Sequence, residues 1–417
     1  MLLNICLVSY EFPPMIGGEG KYTFTLAGAL SALGHNVTVI TGDISGEIED
    51  QKKYEFEIIR LPIKKSGLKL YFFDKLAKKK IRDICNSRGI DIIHFTNDFM
   101  FLSISKKEVN LPLVSTIHHP WGAEREFYKT KTDYIGYLKY AYAKKIYYLE
   151  WLEKKMCKKS DKLIAVSRYT ANYIINEYQI PPGKVTVIPN SVDIKNFHPK
   201  IDGNEMRERL NLLYSPLVLY VGKLDYHKGF NTLIESFVRV IGDIPDAKLL
   251  IVGDGPMKKN IEYLIDIFSL RDSVILAGRV SEEDLPKYYA ASNLVVLPSL
   301  MEGFGIVLLE AMASGKPCIA TNVGGTEDVV VDNETGLIIP PADPESLYKA
   351  ILTLLLDNNL SIEFGNKGWH RVLKNFTKEN IAEKTLNVYD QVLHHQTIFF
   401  LCFLVFIFNT LEFFNNI

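Results

Sequence analysis

Two glutamates, Glu302 and Glu310, have a spacing that suits the binding of an elongated ligand. Glu302 lies on a short loop, and Glu310 lies inside a helix that we expect from about Phe304 to Ala313. Eight helical steps cover roughly 12 Å, and the helix N-terminus near Glu302 attracts negative charge. A nucleoside diphosphate sugar has this shape, with hydroxyls at both ends and a diphosphate between them. For the pair considered alone, a solvated loop acid beside an amphipathic helix is the simpler interpretation.

The residues around these acids predict a strand, a loop and a helix in succession. The apolar run Leu294–Leu297 has the length of a buried parallel strand. Gly315 and Pro317 follow the expected helix, as glycine and proline commonly do at a helix C-terminus. The two acids would therefore lie near the carboxyl end of a strand, where open α/β sheets bind ligands.

Two lysines form a second candidate element. Lys223 and Lys228 follow the apolar run Leu217–Val221, in the segment VGKLDYHKG. Lysines at a strand-to-helix turn can neutralise a departing dianionic phosphate without a metal ion. Two surface lysines beside a glycine turn are the alternative for either residue considered alone.

Paired glycines near the N-terminus form a third element. Gly17 and Gly18 come after a predicted strand, Leu2–Ser9, and before a helix. Glycines let backbone N–H groups approach a phosphate or a sugar closely. By themselves they are equally typical of an ordinary turn.

Together, these segments resemble the retaining glycosyltransferases of family 4, also called group 1. The donor-site signature of that family is similar to PSLMEGFGIVLLEAMASGKP, and its diphosphate-binding motif is similar to VGKLDYHKG. Further similar segments are STIHHP, SDKLIAVSRYT, KVTVIPNSVDIKNFHP, LIVGDGP, LAGRV and NVGGTEDVV. The resemblance runs from about residue 5 to residue 345, and Ser191 replaces a glycine that is common in the family.

The resemblance implies a role for each matching residue. Glu310 would bind the ribose, Lys223 and Lys228 the diphosphate, and Glu302 the hydroxyls of the donor sugar. The family places a histidine beside that sugar, and alignment with its T-x-H pattern favours His118 over His119 for this role. Neighbouring side chains on a strand point to opposite sides, so we expect only one of the two to face the cleft. A capping histidine near the surface is the alternative. The resemblance assigns catalysis to His118, Lys223, Lys228 and Glu302, and donor binding to Gly17, Gly18, Gly222, Arg279, Val280, Phe304, Gly305, Ile306, Val307 and Glu310.

The implied fold is α/β, with the GT-B architecture of two doubly wound, parallel-sheet, Rossmann-like domains facing a cleft. We expect an acceptor-side domain over 1–193 and a donor domain over 194–378, joined by NSVDIKNFHP. A helix over 379–395 would return to the N-terminal domain, and 396–417 would form a hydrophobic tail.

Composition is that of a globular protein, with 47% apolar and 23% charged residues among 417. The five cysteines are scattered and lack C-x-x-C spacing, which argues against disulfides and a zinc site and favours a reducing cytosol. We see no signal peptide and expect a cytoplasmic protein. The resemblance implies no cofactor and no bound metal.

Charge is unevenly distributed and suggests contact with a membrane. Residues 1–195 hold 29 Lys and Arg against 21 Asp and Glu, a net charge of +8, whereas the remainder holds 19 against 28, a net charge of −9. Positive charge concentrates in Lys64–Arg82 and, with many tyrosines, in Thr130–Lys162. These segments and the apolar tail Ile398–Phe414 predict peripheral attachment to the cytoplasmic face of a membrane. Solvated helix faces and a tail folded onto the protein are the alternatives, and nucleic acid is disfavoured.

The sequence therefore predicts a metal-independent hexosyltransferase that retains the anomeric configuration of a nucleotide-activated sugar. The acceptor would be a lipid-linked or cell-envelope glycan. A sugar-nucleotide epimerase of the same fold and a degenerate glycan-binding scaffold are the alternatives. An epimerase would lack the paired lysine and glutamate motifs, and a scaffold would have lost the donor residues. A glycogen-type phosphorylase would be far longer.

Overall fold

Strands and helices alternate along the chain and build two parallel sheets. The computed structural model describes residues 2–13, 17–43, 54–63, 69–97, 109–130, 136–212 and 214–394. Within them, the N-terminal sheet has seven strands in the order β3-β2-β1-β4-β5-β6-β7, all parallel. Its strands are β1 Asn4–Ser9, β2 Asn36–Asp43, β3 Glu57–Pro62, β4 Ile92–Phe95, β5 Leu113–Ile117, β6 Lys162–Ala165 and β7 Val185–Val187.

The C-terminal sheet has six described strands in the order β10-β9-β8-β11-β12-β13, again all parallel. Its strands are β8 Leu217–Val221, β9 Lys248–Val252, β10 Val274–Gly278, β11 Leu294–Leu297, β12 Cys318–Thr321 and β13 Gly336–Ile339. The predicted fold class, two doubly wound parallel sheets, is confirmed.

Helices connect the strands, and we number those described in chain order. They are α1 Gly18–Ala32, α2 Lys69–Arg88, α3 Trp121–Thr130, α4 Gly136–Lys159, α5 Arg168–Asn176, α6 Asn204–Arg209, α7 Phe230–Asp243, α8 Lys258–Ile267, α9 Leu285–Ala291, α10 Ile306–Ala313, α11 Thr326–Val329, α12 Pro344–Leu356, α13 Asn358–Asn375 and α14, residues 378–394. Several begin at polar caps; Asp343, for example, accepts a hydrogen bond from the Ser346 backbone N–H at 3.0 Å before α12.

Helices cover both faces of the N-terminal sheet because its strands are apolar on both sides. Ile5 and Leu7 of β1 belong to the core that includes α1 and α14. Val8, the next residue of β1, joins the core under α2, and Ile117 of β5 joins the core under α4. The register of the paired strands puts α2 and α4 on the same second face of the sheet.

Helix α14 returns to the N-terminal domain at the end of the described chain. Tyr389 and Val392 are buried in the core beneath α1. The Tyr389 hydroxyl lies 2.6 Å from His94 Nδ1, and His94 Nε2 lies 2.8 Å from Thr116 Oγ1. Burial lowers the pKa of His94 to about 3, so the ring is neutral and relies on hydrogen bonds for its polar atoms.

One helix boundary differs from the prediction. The helix expected from Phe304 begins at Ile306. Gly305 precedes it with φ +92°, a left-handed conformation that glycine adopts readily and that interrupts helical geometry. Phe304 is consequently on the loop, where its ring is buried against Phe376.

Parts of the predicted membrane-contacting segments lie outside the described residues. The tail Ile398–Phe414 is entirely outside them, as is 64–68 of the first basic segment. In the second basic segment, side chains are described only from residue 144 onward. None of the described helices combines the length and the apolarity needed to cross a bilayer.

Replacing Tyr389 by Phe tests the attachment of α14. The substitution leaves the buried His94 Nδ1 without its partner, and we expect a loss of about 1–3 kcal/mol in unfolding free energy. The unfolding midpoint, followed by circular dichroism, should fall by several degrees. The control Tyr263→Phe alters an exposed tyrosine of α8 and should leave the midpoint unchanged. Equal midpoints for the two variants would contradict this description of the α14 contact.

Candidate functional site

The predicted donor residues gather at the carboxyl ends of strands from both sheets. Each sheet reverses its strand order once, between β1 and β4 and between β8 and β11, and such switch points are where open α/β sheets bind ligands. The predicted residues follow β1 (Gly17, Gly18), β5 (His118), β8 (Gly222, Lys223, Lys228), β10 (Arg279, Val280) and β11 (Glu302 to Glu310).

The two domains touch across the cleft. A Cβ atom added at Gly303 would lie 2.5 Å from the carbonyl oxygen of His118, so a larger residue does not fit between the domains. Ser167 Oγ, at the start of α5, donates a hydrogen bond to the Gly303 carbonyl at 3.1 Å. A Cβ atom at Gly18 would lie 4.0 Å from Ile306 Cδ1, so the glycine loop faces the first residue of α10. The cleft is closed in this conformation.

Glu310 is buried in α10, with only 3% of the residue exposed. One carboxylate oxygen accepts a hydrogen bond from Lys21 Nζ at 2.6 Å, and the other accepts one from the Tyr289 hydroxyl at 2.8 Å. Lys21 lies on α1, so this ion pair joins the domains, and Glu282 adds a longer contact at 3.5 Å. Burial opposes the charge of Lys21, but the two glutamates outweigh it and raise its pKa to about 12.

Lys228 and Glu302 form the second ion pair of the cleft. Lys228 Nζ lies 2.7 Å from Glu302 Oε2, and the Ser299 hydroxyl donates to the same oxygen at 3.2 Å. Burial would raise the pKa of Glu302, but the charge of Lys228 outweighs burial and holds it below its usual value. Glu302 is therefore a carboxylate at neutral pH.

Lys223 forms a third pair, with Asp225, at 2.7 Å. The lysine is largely exposed, whereas Asp225 is half-buried and also accepts a hydrogen bond from the Tyr226 backbone N–H at 2.8 Å. Burial raises the pKa of Asp225, but its bond to Lys223 and other positive groups lower it overall. The short turn Tyr226–Lys228 then ends at Gly229, whose φ of +73° places it in the left-handed region.

The two adjacent histidines after β5 have different surroundings. His118 Nε2 lies 3.1 Å from the Thr96 carbonyl oxygen, and its ring meets Tyr22 edge-on at 4.8 Å. His119 instead lies against Gly303 and is influenced by the charges of Glu302 and Lys228. Burial lowers the pKa of each ring to about 4. His118 stays a prediction for the sugar contact, and His119 is the imidazole beside the Lys228–Glu302 pair.

The remaining predicted residues contribute backbone or lie at the rim. Gly222 has φ +150°, a conformation unfavourable for larger residues. Ile306 and Val307 begin α10, so their N–H groups belong to the first turn, where a helix has no internal partners for them. Arg279 is exposed and Val280 packs on the donor-domain core. Within the described chain, no group of three or more His, Cys, Asp and Glu side chains is arranged to hold a metal ion.

Comparison with known proteins assigns the family. Residues 203–371 match the model of the glycosyl transferases group 1, and residues 16–196 match that of glycosyltransferase family 4. A galactosyltransferase of Escherichia coli, named UDP-Gal:alpha-D-GlcNAc-diphosphoundecaprenol alpha-1,3-galactosyltransferase, is 30% identical over 72% of each chain. The chain is a group 1 glycosyltransferase. A glycosyltransferase of Methanocaldococcus jannaschii described as uncharacterized is 29% identical to it over 93% of this chain and 98% of that protein.

Solved structures agree with the GT-B fold of this glycosyltransferase. Sucrose-phosphate synthase from Thermosynechococcus elongatus superposes with a TM-score of 0.76 at 28% identity, covering 94% of this chain and all of that one. WaaG, a glycosyltransferase involved in lipopolysaccharide biosynthesis, superposes with a TM-score of 0.73 at 21% identity, covering 92% and 99%. The second likeness concerns the fold alone.

Sequence reasoning missed several residues of this glycosyltransferase's cleft. Lys21 belongs to the segment quoted for its glycines, yet its partner Glu310 is 289 positions away. The T-x-H alignment favours His118, so His119 is not among the predicted site residues. Tyr289 and Ser299 carry no motif of their own, and only their contacts with the two glutamates bring them into the site.

Replacing Lys21 by Met tests whether its ion pair holds the cleft closed. The variant leaves the buried carboxylate of Glu310 without its cation, which should destabilise the closed form by about 1–3 kcal/mol because Lys21 is itself partly exposed. Small-angle X-ray scattering of the ligand-free protein should show a larger radius of gyration. Glu282→Gln removes only the longer contact and should change the radius little. An unchanged radius in Lys21→Met would contradict the closing role.

Proposed function

We propose that this glycosyltransferase moves a sugar from a nucleotide-sugar donor to an acceptor hydroxyl with retention of the anomeric configuration. The observation that carries the proposal is the closed cleft, in which Lys21 of the N-terminal domain pairs with Glu310 and Lys228 pairs with Glu302. Lys228, Glu302 and Glu310 have defined partners there, and the family resemblance implies a contact with the donor for each of them.

The chemistry of these groups matches the parts of such a donor. Glu310 is an anionic acceptor at the α10 end of the site, suited to the two hydroxyls of a ribose. The lysines after β8 and the N–H groups at the start of α10 are suited to a diphosphate. Glu302, on the loop between them, is suited to the hydroxyls of the transferred sugar.

Retention follows if the acceptor attacks from the face that the phosphate leaves. The bond from the anomeric carbon to the phosphate oxygen breaks, and the departing phosphate accepts the acceptor's hydroxyl proton as the new bond forms. Lys223 and Lys228 would stabilise the negative charge on the leaving nucleoside diphosphate, the part a metal ion plays elsewhere. His118 would support the positive charge that develops on the sugar.

The names of relatives indicate the class of substrate. One relative, from Mycolicibacterium smegmatis, is called a GDP-mannose-dependent phosphatidylinositol monomannoside mannosyltransferase and is 25% identical over 89% of this chain and 94% of its own. The Escherichia coli relative is named for a UDP-sugar and a diphosphoundecaprenol acceptor. Both names describe lipid-linked acceptors. They support a nucleotide-hexose donor and a lipid-linked or cell-envelope acceptor for this chain.

Calorimetric titration of the full-length protein with UDP-, GDP- and ADP-sugars tests the proposal. We expect one donor to bind with micromolar affinity and Glu310→Gln to weaken it by about 10–100-fold, because the variant loses charge-assisted bonds worth about 1.5–3 kcal/mol. The control Glu363→Gln changes an exposed acid of α13 and should bind normally. No heat of binding for any donor, in protein with wild-type circular dichroism, would contradict the proposed function.

A membrane contact on the acceptor-side domain is part of the proposed function. Helices α2 and α4 lie on the same face of the N-terminal sheet. Exposed aromatic residues project from both, including Tyr71 at 60% exposure and Tyr148 at 57%. Lys155 Nζ lies 3.7 Å from the centre of the Trp151 ring, so charge and aromatic surface are adjacent. Such a basic and aromatic face suits the interface of a bilayer that contains anionic lipids.

Sedimentation with lipid vesicles tests this face. At low salt, the protein should pellet with phosphatidylcholine vesicles containing 30% phosphatidylglycerol and should remain in the supernatant with phosphatidylcholine alone. The variant Tyr147→Ser/Tyr148→Ser/Trp151→Ser should reduce the bound fraction several-fold, because it removes exposed aromatic surface from α4. Tyr263→Ser, on the donor domain, is the control. Equal binding by the triple variant and the control would refute the assignment of α4.

A further inference from the structure

The cleft holds less free positive charge than its lysines suggest. Lys223 and Lys228 are the cations assigned to the donor diphosphate, yet each lies 2.7 Å from an acid, Asp225 and Glu302 respectively. Each lysine has one acid as its partner, so the formal charges of the four groups cancel. A nucleotide-sugar diphosphate brings two negative charges, and a site of no net charge offsets them incompletely.

Two imidazoles beside these ion pairs have unused polar atoms. Neither ring nitrogen of His119 has a hydrogen-bond partner among the described residues, and neither contacts solvent. His227 Nδ1 is likewise buried and unpartnered in the described part of the chain. Buried polar atoms are usually satisfied, so three such nitrogens in one place indicate groups that complete their hydrogen bonds with a ligand.

Burial and the nearby charges explain the protonation state of His119 and His227. Burial, together with the charge of Lys228, lowers the pKa of His119 and of His227 to about 4. Glu302 acts in the opposite direction on both rings, and Asp225 does so on His227. Both rings are therefore neutral at pH 6–7.

Other titratable groups near His119 and His227 change their charge little when an anion binds. His118 is buried, its pKa is lowered to about 4, and its Nε2 lies within hydrogen-bond distance of the Thr96 carbonyl oxygen. Tyr220 faces Glu302 and Asp225, and burial raises its pKa well above the usual value, so it stays neutral. Lys223 contributes through its pair with Asp225. An added anion would act mainly on His119 and His227.

We propose that His119 and His227 are donor ligands that take up a proton from solvent when a nucleotide-sugar diphosphate binds. The proton enters at a free ring nitrogen, and the resulting imidazolium N–H groups donate hydrogen bonds to phosphate oxygens. The rings thereby add positive charge to that of the two lysines, which is partly offset by Asp225 and Glu302.

Proton uptake gives donor affinity a defined dependence on pH. An anion at hydrogen-bond distance raises the pKa of an imidazole by about 1–3 units, which brings these rings from about 4 to about 5–7 in the complex. Because the histidine pKa is higher in the complex than in the free protein, donor affinity rises as pH falls through the pKa of the complex. The affinity stops rising below the pKa of the free protein, about 4, and it is constant above about pH 8.

Calorimetry in several buffers measures the uptake directly. The inference rests on the proposed function, so the probes are UDP-glucose and GDP-mannose, with ADP-glucose as a third. Their diphosphates lack the terminal phosphate proton, with a pKa of about 6, that UDP or GDP would contribute. Titrations at pH 6 in MES, bis-Tris and cacodylate give the proton number from the dependence of binding heat on buffer ionisation heat. We expect about one proton per bound donor at pH 6 and fewer than about 0.2 at pH 8.

Variants assign the protons to the two rings. His119→Asn and His227→Gln keep a hydrogen-bonding group but do not titrate, so each should lower the uptake at pH 6 and the double variant should abolish it. His370→Gln, an exposed histidine of α13, is the matched control and should keep the wild-type value. Unchanged uptake in the double variant would overturn the assignment. If one variant does not fold, the other variant and the wild-type pH dependence still test it.

The outcomes separate this inference from the proposed function. Tight binding of one probe with fewer than about 0.2 protons taken up at pH 6 would refute the role of the histidines and leave the glycosyltransferase site intact. Failure of all three probes to bind the folded wild-type protein would overturn both. Uptake of about one proton that disappears with the two histidines is the result that supports the inference.

Discussion

The structure of the cleft depends on ion pairs in which each lysine has an acid as its partner. The Lys21–Glu310 pair joins α1 to α10 across the domains, while Lys223 and Lys228 are paired inside the donor domain. Taking charges out of water is costly unless they are paired, so a closed cleft with these residues requires such partners. The proposed donor would therefore enter a site whose lysines already have acidic partners. Its binding would redistribute hydrogen bonds among lysines, acids and histidines.

The fold brings these groups together because parallel strands end at the same edge of a sheet. Both sheets direct their carboxyl edges at the cleft, and the loops after β1, β5, β8 and β11 carry the polar residues. Small residues allow the loops to approach each other, as Gly303 does beside the carbonyl of His118. The left-handed Gly305 then turns the chain into α10, so that its first N–H groups and Glu310 belong to one rigid element. Geometry at the site is thus set by strand ends and two glycines.

Local patterns were sufficient to predict the elements but not the partners of the charged groups. The apolar runs Leu217–Val221 and Leu294–Leu297 are strands with the predicted bounds, because an uninterrupted apolar run suits a strand buried on both faces. The predicted start of α10 is two residues too early, because the left-handed φ of Gly305 depends on its tertiary surroundings. The different surroundings of His118 and His119 depend on loops of the C-terminal domain that the sequence pattern does not place. Contacts between residues hundreds of positions apart leave no periodic signal in a single sequence.

We propose that the nucleotide sugar binds in the closed cleft, with its ribose at Glu310 and its diphosphate at Lys228. A crystal structure of the full-length protein with the donor selected by calorimetry tests it most directly. We expect ribose hydroxyls within about 3.2 Å of the Glu310 carboxylate and phosphate oxygens within about 3.2 Å of Lys228 Nζ. A donor bound outside the cleft, with Glu310 contacting only Lys21 and Tyr289, would contradict this proposal.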